Sequence, residues 1–446
     1  MARDLSNSSY LPQNLSREYP LIVRGEGCYL IDEEGKRYLD GAAGGVSACC
    51  IGHGVTAVAD AIAEQARKLA FAHLSMFTNE PQLKLAEEIV RFGPPGMARA
   101  YFVSTGTEAT ELCVKLARVY HLARGKERKT RVIGRWRGYH GSSLGALSYS
   151  GRSSRRGELL PYFFPATLIS PPYCYRCPWG RSYPDCGIMC AWEVERAIKQ
   201  EGPDTVSLFI AEPIINTLGA AAAPPEYFPI VREICDKYDV LMALDEVITG
   251  FGRTGRNFAI EHWGGTTDFI AMGKGIAGGY APLAGTLISE KVNAVIQKQG
   301  GPTVPGYTYA GNPISCSAGL AVLRYIQEHD LVSKARDTGE VLQEEAKKLL
   351  EVPLIGDVRG KGLMLGVELV ADKETKEPFP RSAQISEKVH AECWKRGLSY
   401  CPLAGDADGV SGDAASIGPA LIVTEDQGRD LVRIFGEATS AVAETL

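Results

Sequence analysis

Through the middle of the chain, short uninterrupted apolar runs alternate with stretches whose apolar residues recur at helical spacing. Tyr101–Val103, Arg131–Ile133, Val206–Ile210, Val240–Leu244, Phe269–Met272 and Leu283–Ile288 read as buried strands. Val55, Val58, Ile62 and Leu69 share one helical face, as do Ala109, Leu112, Leu116 and Val119. Strands that are apolar on both sides must be covered on both faces, and parallel neighbours need crossovers long enough to hold a helix. The pattern predicts an α/β fold with a mostly parallel sheet between helices. After Pro313 the rhythm changes. Helical patterns at Ser317–Gln327 and Leu331–Leu350 precede a strand at Gly362–Val370, a helix near Gln384–Arg396, a strand at Ile417–Val423 and a last helix from about Thr424. These predict a smaller α+β domain, and Leu21–Leu39 reads as short strands around a Glu34-Gly35 turn. The chain's 446 residues exceed the roughly 250–300 at which one core stops growing, so two domains are expected.

Net charge is −5 with no long basic block, which gives no support to a nucleic-acid or membrane-surface partner. The first residues are polar, and no stretch approaches the roughly 18 apolar residues that span a bilayer. A cytoplasmic protein is expected. Its twelve cysteines would then be reduced thiols or metal ligands.

Four motifs carry chemistry. In Phe102-Val103-Ser104-Thr105-Gly106-Thr107-Glu108-Ala109 a strand ends and a helix begins; backbone N–H groups and hydroxyls there suit an anion, although Thr107 could simply cap the helix. In Arg135-Trp136-Arg137-Gly138-Tyr139-His140-Gly141 an aromatic just past a strand could stack on a flat ring or merely pack a loop. Asp239–Val247 ends a buried strand in the adjacent carboxylates Asp245 and Glu246, where an acid can pair with a ring nitrogen or a metal, or brace a loop. In Met272-Gly273-Lys274-Gly275 the flanking glycines leave bare backbone that a cofactor can approach, whereas a lone lysine would read as a surface charge.

Together these motifs resemble the class III (ω-amino acid) aminotransferases, pyridoxal-phosphate enzymes of fold type I. The similarity runs near-continuously from about Gly35 to Leu369. It includes Asp245-Glu246-Val247 with Gly250–Gly255, Gly273-Lys274-Gly275 with Gly278–Pro282, and Thr308-Tyr309-Ala310-Gly311-Asn312-Pro313. The resemblance implies a seven-stranded, mostly parallel sheet in a large domain (56–312), a small C-terminal domain (313–446) and an N-terminal segment (1–55) joining the small one. It implies pyridoxal 5'-phosphate as cofactor, with Lys274 as its Schiff-base lysine and proton shuttle. Asp245 would keep the ring nitrogen protonated, with Tyr139 and Val247 on opposite ring faces. Thr105, Gly106, Thr107 and His140 are further cofactor contacts, the phosphate falling to Gly106 and Thr107, and Glu212 lies near the cofactor's hydroxyl. Thr308 would reach the neighbouring subunit's phosphate, which implies a homodimer with shared sites; a tetramer stays open.

The substrate end departs from the family. Relatives hold a keto-acid carboxylate with an arginine near the C-terminal strand, and this chain has Ser416 at one such position and Glu425 at the other. Glu425 could meet a cationic donor group or be a first-turn helix acid. Ser47 aligns with a bulky pocket wall of some relatives, which implies room for a larger donor. Cys174, Cys177, Cys186 and Cys190, spaced C-x2-C-x8-C-x3-C, could give thiolates for a structural zinc or be a loop of reduced cysteines. The expected activity is ping-pong transfer of an amino group from an ω-amine or ω-amino acid to a keto acid such as pyruvate. An aminomutase, epimerase or amine phospho-lyase would reuse the same residues, and a non-catalytic scaffold would have little use for them.

Overall fold

A computed structural model describes residues 2–301, 303 and 306–446; Met1, Pro302, Val304 and Pro305, which the expected domains include, lie outside the described residues. Among these residues the large sheet has eight strands. In spatial order they are Met97–Val103, Ala284–Ser289, Phe269–Met272, Leu241–Asp245, Val206–Ala211 and Arg131–Trp136, the last pairing with both Ser150–Gly151 and Thr167–Ile169. Ala284–Ser289 runs antiparallel to both neighbours, and the other pairings are parallel. The eighth strand beyond the expected seven is the two-residue Ser150–Gly151, too short to register as an apolar run.

Alternation along the central strands sorts side chains between two cores. Leu208, Ile210, Leu241, Ala243, Phe269 and Ala271 meet Leu112 and Leu116 of the helix Gly106–Ala123. Phe209, Met242, Leu244, Ile270 and Met272 belong to the opposite core with Val194 and Ile198 of Met189–Glu201 and Phe228 and Val231 of Tyr227–Lys237. The expected helix-covered, mostly parallel sheet is therefore present. No helix among the described residues is long and apolar enough to cross a membrane.

The small domain is an antiparallel sheet, Ile355–Lys361, Met364–Leu369, Asp413–Ile417 and Cys401–Ala404, against the helices Leu331–Ala346, Ile385–Lys395 and Glu425–Ala443. The N-terminal strands Ile22–Glu26, Tyr29–Asp32 and Arg37–Asp40 pair in that order, and Leu398–Ser399 joins them in parallel beside Arg37–Asp40. One expectation needs correction, and one strand was not expected. The last strand ends at Ile417 instead of beginning there, because Gly418-Pro419 follows and proline cannot donate to a ladder. Ile355–Lys361 is a strand although Asp357, Arg359 and Lys361 hide its apolar character.

Those charges serve a buried network. Glu368, fully buried, accepts from Arg359 Nη2 at 2.8 Å, from Tyr173 Oη and from Arg176 Nε. The network ties the cysteine-bearing insert to the small domain's sheet. Removing one member of a buried ion cluster leaves its partners desolvated and unpaired. Glu368→Ala should therefore cost about 3–5 kcal/mol, read as a lowered urea midpoint or unfolding temperature.

Candidate active site

Val103, Trp136, Ala211, Asp245 and Met272 all end strands on the same edge of the large sheet, and the chain turns there into the four motifs. Open α/β sheets bind ligands at this edge. A cavity of about 440 Å³ opens on it, lined by Lys274, Asp245, Tyr139, His140, Glu212, Gly106, Thr107 and Val247.

The helix Gly106–Ala123 begins with a capping box. Thr105 Oγ1 accepts from the Glu108 N–H, and the Glu108 carboxylate accepts from the N–H groups of Ser104 and Thr105. The capping role thus falls to Thr105, whose exposed hydroxyl keeps its own proton to donate although the residue is not among those lining the cavity. Gly106 and Thr107 do line it, at the positive end of the helix. The next loop is drawn in close: a Cβ at Gly141 (φ +136°) would lie 2.5 Å from Thr107 Oγ1. Val247 packs equally tightly, since a Cβ at Gly106 or Gly273 would lie 3.1 or 3.0 Å from its methyl groups.

Of the paired carboxylates only Asp245 faces the cavity. Glu246 is fully buried, accepting from Ala259 N and Ile260 N and from Thr249 Oγ1, so it braces the following loop. Asp245 Oδ2 lies 2.8 Å from His140 Nδ1, and Oδ1 accepts from the Val247 N–H at 3.1 Å. His140 Nε2 lies 3.8 Å from Glu212 Oε2. Burial opposes charge on His140, but the Glu212 and Asp245 carboxylates outweigh it and raise its pKa. Glu212 Oε1 accepts from the Tyr139 N–H at 2.9 Å, and the Arg135 guanidinium donates to Glu212. Glu212 thereby fixes the loop presenting Tyr139.

Lys274 follows Gly273 with φ +43°, a strained conformation for a side chain of this size. Its amine falls from the ordinary 10.5 to about 8, chiefly through desolvation, with the Asp245 carboxylate opposing. The surface-lysine alternative is excluded.

The substrate-end candidates fare differently. Ser47 is buried behind the wall, which is formed instead by its neighbours Val46 and Ala48. Ser416 Oγ bonds Asn216 Oδ1 at 2.7 Å, and Asn216, not Ser416, lines the cavity. Glu425 is exposed and pairs with Arg429 in the first turn of a helix capped by Thr424, so it takes the helix role. Thr308 lies exposed outside this chain's own cavity. Sequence reasoning missed Ser104, Arg152, Thr217, Cys401 and Leu403, all of which line it. Only Ser104 stood inside a recognised motif. The four insert cysteines border one small gap of about 20 Å³, but they range from exposed Cys174 to buried Cys190. Among the described residues no set of three or more His, Cys, Asp or Glu side chains is arranged to hold a metal ion, so the zinc expectation is not met.

The family model of aminotransferase class-III matches residues 12–439. The chain belongs to the class III aminotransferases. It is 39% identical to an uncharacterized aminotransferase, YodT, of Bacillus subtilis, across 98% of this chain and 99% of that one. A solved transaminase from directed evolution by ancestral reconstruction superposes with a TM-score of 0.93 at 35% identity, covering 99% of this chain and 98% of the other. The ω-transaminase of Pseudomonas jessenii in complex with PMP superposes with a TM-score of 0.91 at 30% identity, over 99% and 98%. This class III transaminase thus has the fold-type I architecture, and its family depends on pyridoxal 5'-phosphate.

Placing Lys274 here has a stability cost with a defined pH dependence. Below pH 8 both folded and unfolded chains hold the proton, and the folded one bears the cost of confining the cation. Between about 8 and 10.5 the folded chain releases its proton first, so stability rises with pH. Water in the cavity relieves part of the penalty. Lys274→Met, freed of any cofactor, should unfold about 1–3 kcal/mol harder than the wild type below pH 8, with the gap closing by pH 10.5 in urea titrations across pH.

Proposed function

We propose that this cavity moves an amino group by a ping-pong route from an ω-amine or ω-amino acid to a keto acid such as pyruvate. The observation that carries the reading is one cavity holding a lysine amine near pH 8 opposite a buried, histidine-braced carboxylate. The residues fit pyridoxal 5'-phosphate. Asp245 offers a carboxylate for a protonated ring nitrogen, Gly106 and Thr107 offer a helix N-terminus for the phosphate, and Glu212 stands near the hydroxyl side. Tyr139 and Val247, which both line the cavity, would hold the two faces of the ring. When bound, the cofactor supplies an electron sink for the carbon that loses its proton.

The chain's own part follows from its geometry. Lys274 Nζ, neutral in a useful fraction near pH 8, can form the covalent anchor and then take and return the substrate proton. His140 Nδ1 and the Val247 N–H hold the Asp245 carboxylate in place for the ring. Exposed Thr308 is free to serve the phosphate of a second subunit, which supports a homodimer with shared sites. The pairing of Leu398–Ser399 with Arg37–Asp40 supports assigning 1–55 and 313–446 to one small domain beside 56–312. Twelve unpaired cysteines suit a reducing compartment such as the cytoplasm.

A donor panel tests the reading: taurine, β-alanine, γ-aminobutyrate, diamines, 6-aminohexanoate and 1-phenylethylamine, each with pyruvate or 2-oxoglutarate. At least one donor alone should bleach the holoenzyme's visible absorbance, and a keto acid should restore it. A lyase or mutase would recover its spectrum without an acceptor. If no amine changes the spectrum, the reading fails. Asp245→Asn should lower kcat/KM at least about a hundredfold while leaving the fold intact by circular dichroism.

A further inference from the structure

The cavity wall contains one cation with nothing to neutralise it. Arg152 follows the two-residue strand Ser150–Gly151, which pairs with Arg135 and Trp136. A Cβ at Gly151 would lie 2.3 Å from Arg135 O and Trp136 Cα, so only glycine permits this approach. The Gly151 N–H also donates to Gly138 O at 2.8 Å, and its carbonyl accepts from the Arg137 N–H. Arg152 is thus pinned beside the stretch that presents Tyr139.

Arg135 is engaged on Glu212, Arg156 on backbone carbonyls and Arg253 on the Pro419 carbonyl. Arg155 is exposed and does not line the cavity. Among the described residues the Arg152 side chain has no hydrogen bond, ion pair or ring contact. The charged and titratable groups that act on it are the Arg155 guanidinium, the Cys401 thiol and Tyr139; no carboxylate does so. Cys401, Arg152 and Lys274 all line the same cavity. The phosphate-binding end, at Gly106 and Thr107, belongs to a different strand end. A half-buried, unpaired guanidinium beside a like charge is stabilised by an incoming anion, and its planar fork matches a carboxylate.

We infer that Arg152 is the carboxylate-binding residue for the keto-acid acceptor, in place of the arginine absent at Ser416 and Glu425. The inference rests on the aminotransferase reading above for its acceptor, and on the cavity alone for its anion.

The test compares wild type, Arg152→Gln and Arg152→Lys holoenzymes with one active donor and two acceptors, pyruvate and the uncharged aldehyde butanal. In Arg152→Gln the KM for pyruvate should rise roughly 10–100-fold, with butanal changed less than about threefold. Arg152→Lys should recover part of the loss. Calorimetric titration with propionate, which carries a carboxylate but no reactive carbonyl, should show at least about tenfold weaker binding to Arg152→Gln than to wild type. Equal losses for both acceptors would mark a structural role and overturn the inference, as would an unchanged pyruvate KM. If the wild type transfers no amino group at all, the functional reading fails. The propionate titration then decides the anion site by itself: Arg152-dependent binding sustains it, and its absence ends it.

Discussion

Burying a carboxylate at the end of a fully buried strand costs several kcal/mol unless its charge is met, and at Asp245 it is met from two directions. His140 Nδ1 lies 2.8 Å from one oxygen and the Val247 N–H donates to the other. His140 stands between Asp245 and Glu212, and Glu212 in turn receives Arg135. Charges alternate in sign along this line, which crosses the ends of three neighbouring strands. Each group therefore reduces the desolvation cost of the next, and none can move without exposing another. The line locks the strand ends to one another, so the loops leaving them reach the cavity in fixed positions.

Lys274 shows the opposite use of burial. Its amine has Asp245 as its attractive neighbour, and desolvation wins over that attraction, moving the pKa down to about 8. A direct ion pair would have stabilised the cation and removed the nucleophile. The positive φ at Lys274 adds local strain that the surrounding sheet sustains, while glycines at 106 and 273 leave room for Val247. Stability given up at one lysine is the physical origin of its reactivity.

What the sequence made legible follows from how far each signal reaches. The central strands were legible because both faces are buried, and a run such as Val206–Ala211 has no polar position to blur it. The chemistry-bearing residues were legible because the sheet gathers every strand's carboxyl end on one edge, so local motifs far apart in sequence had to meet. Ile355–Lys361 was hidden because Asp357 and Arg359 enter a buried network instead of facing water. Ser47 was one layer from the wall, since loop register cannot be set by periodicity, and Ser416, in the strand Asp413–Ile417, sits behind Asn216. Arg152 was invisible for a related reason. Its position depends on Gly151 closing against Arg135 and Trp136, a tertiary contact with no local pattern.

The cavity thus has two kinds of wall. Lys274, Asp245, His140 and Glu212 come from adjacent strand ends of one sheet, and His140 joins Asp245 to Glu212. Val46 and Ala48 come from the N-terminal segment, Cys401 and Leu403 from the small domain's edge strand, and Arg152 from just after a two-residue strand at the sheet's margin. None of these five takes part in the Asp245–His140–Glu212 line. Side chains on this second wall can differ between class III enzymes without disturbing the charges that the first wall holds in balance. A cation on the loop after Gly151 can therefore face the cavity while the Asp245–His140–Glu212 line stays intact. The side of the cavity from which a substrate's carboxylate is held would then set which of its ends meets Lys274.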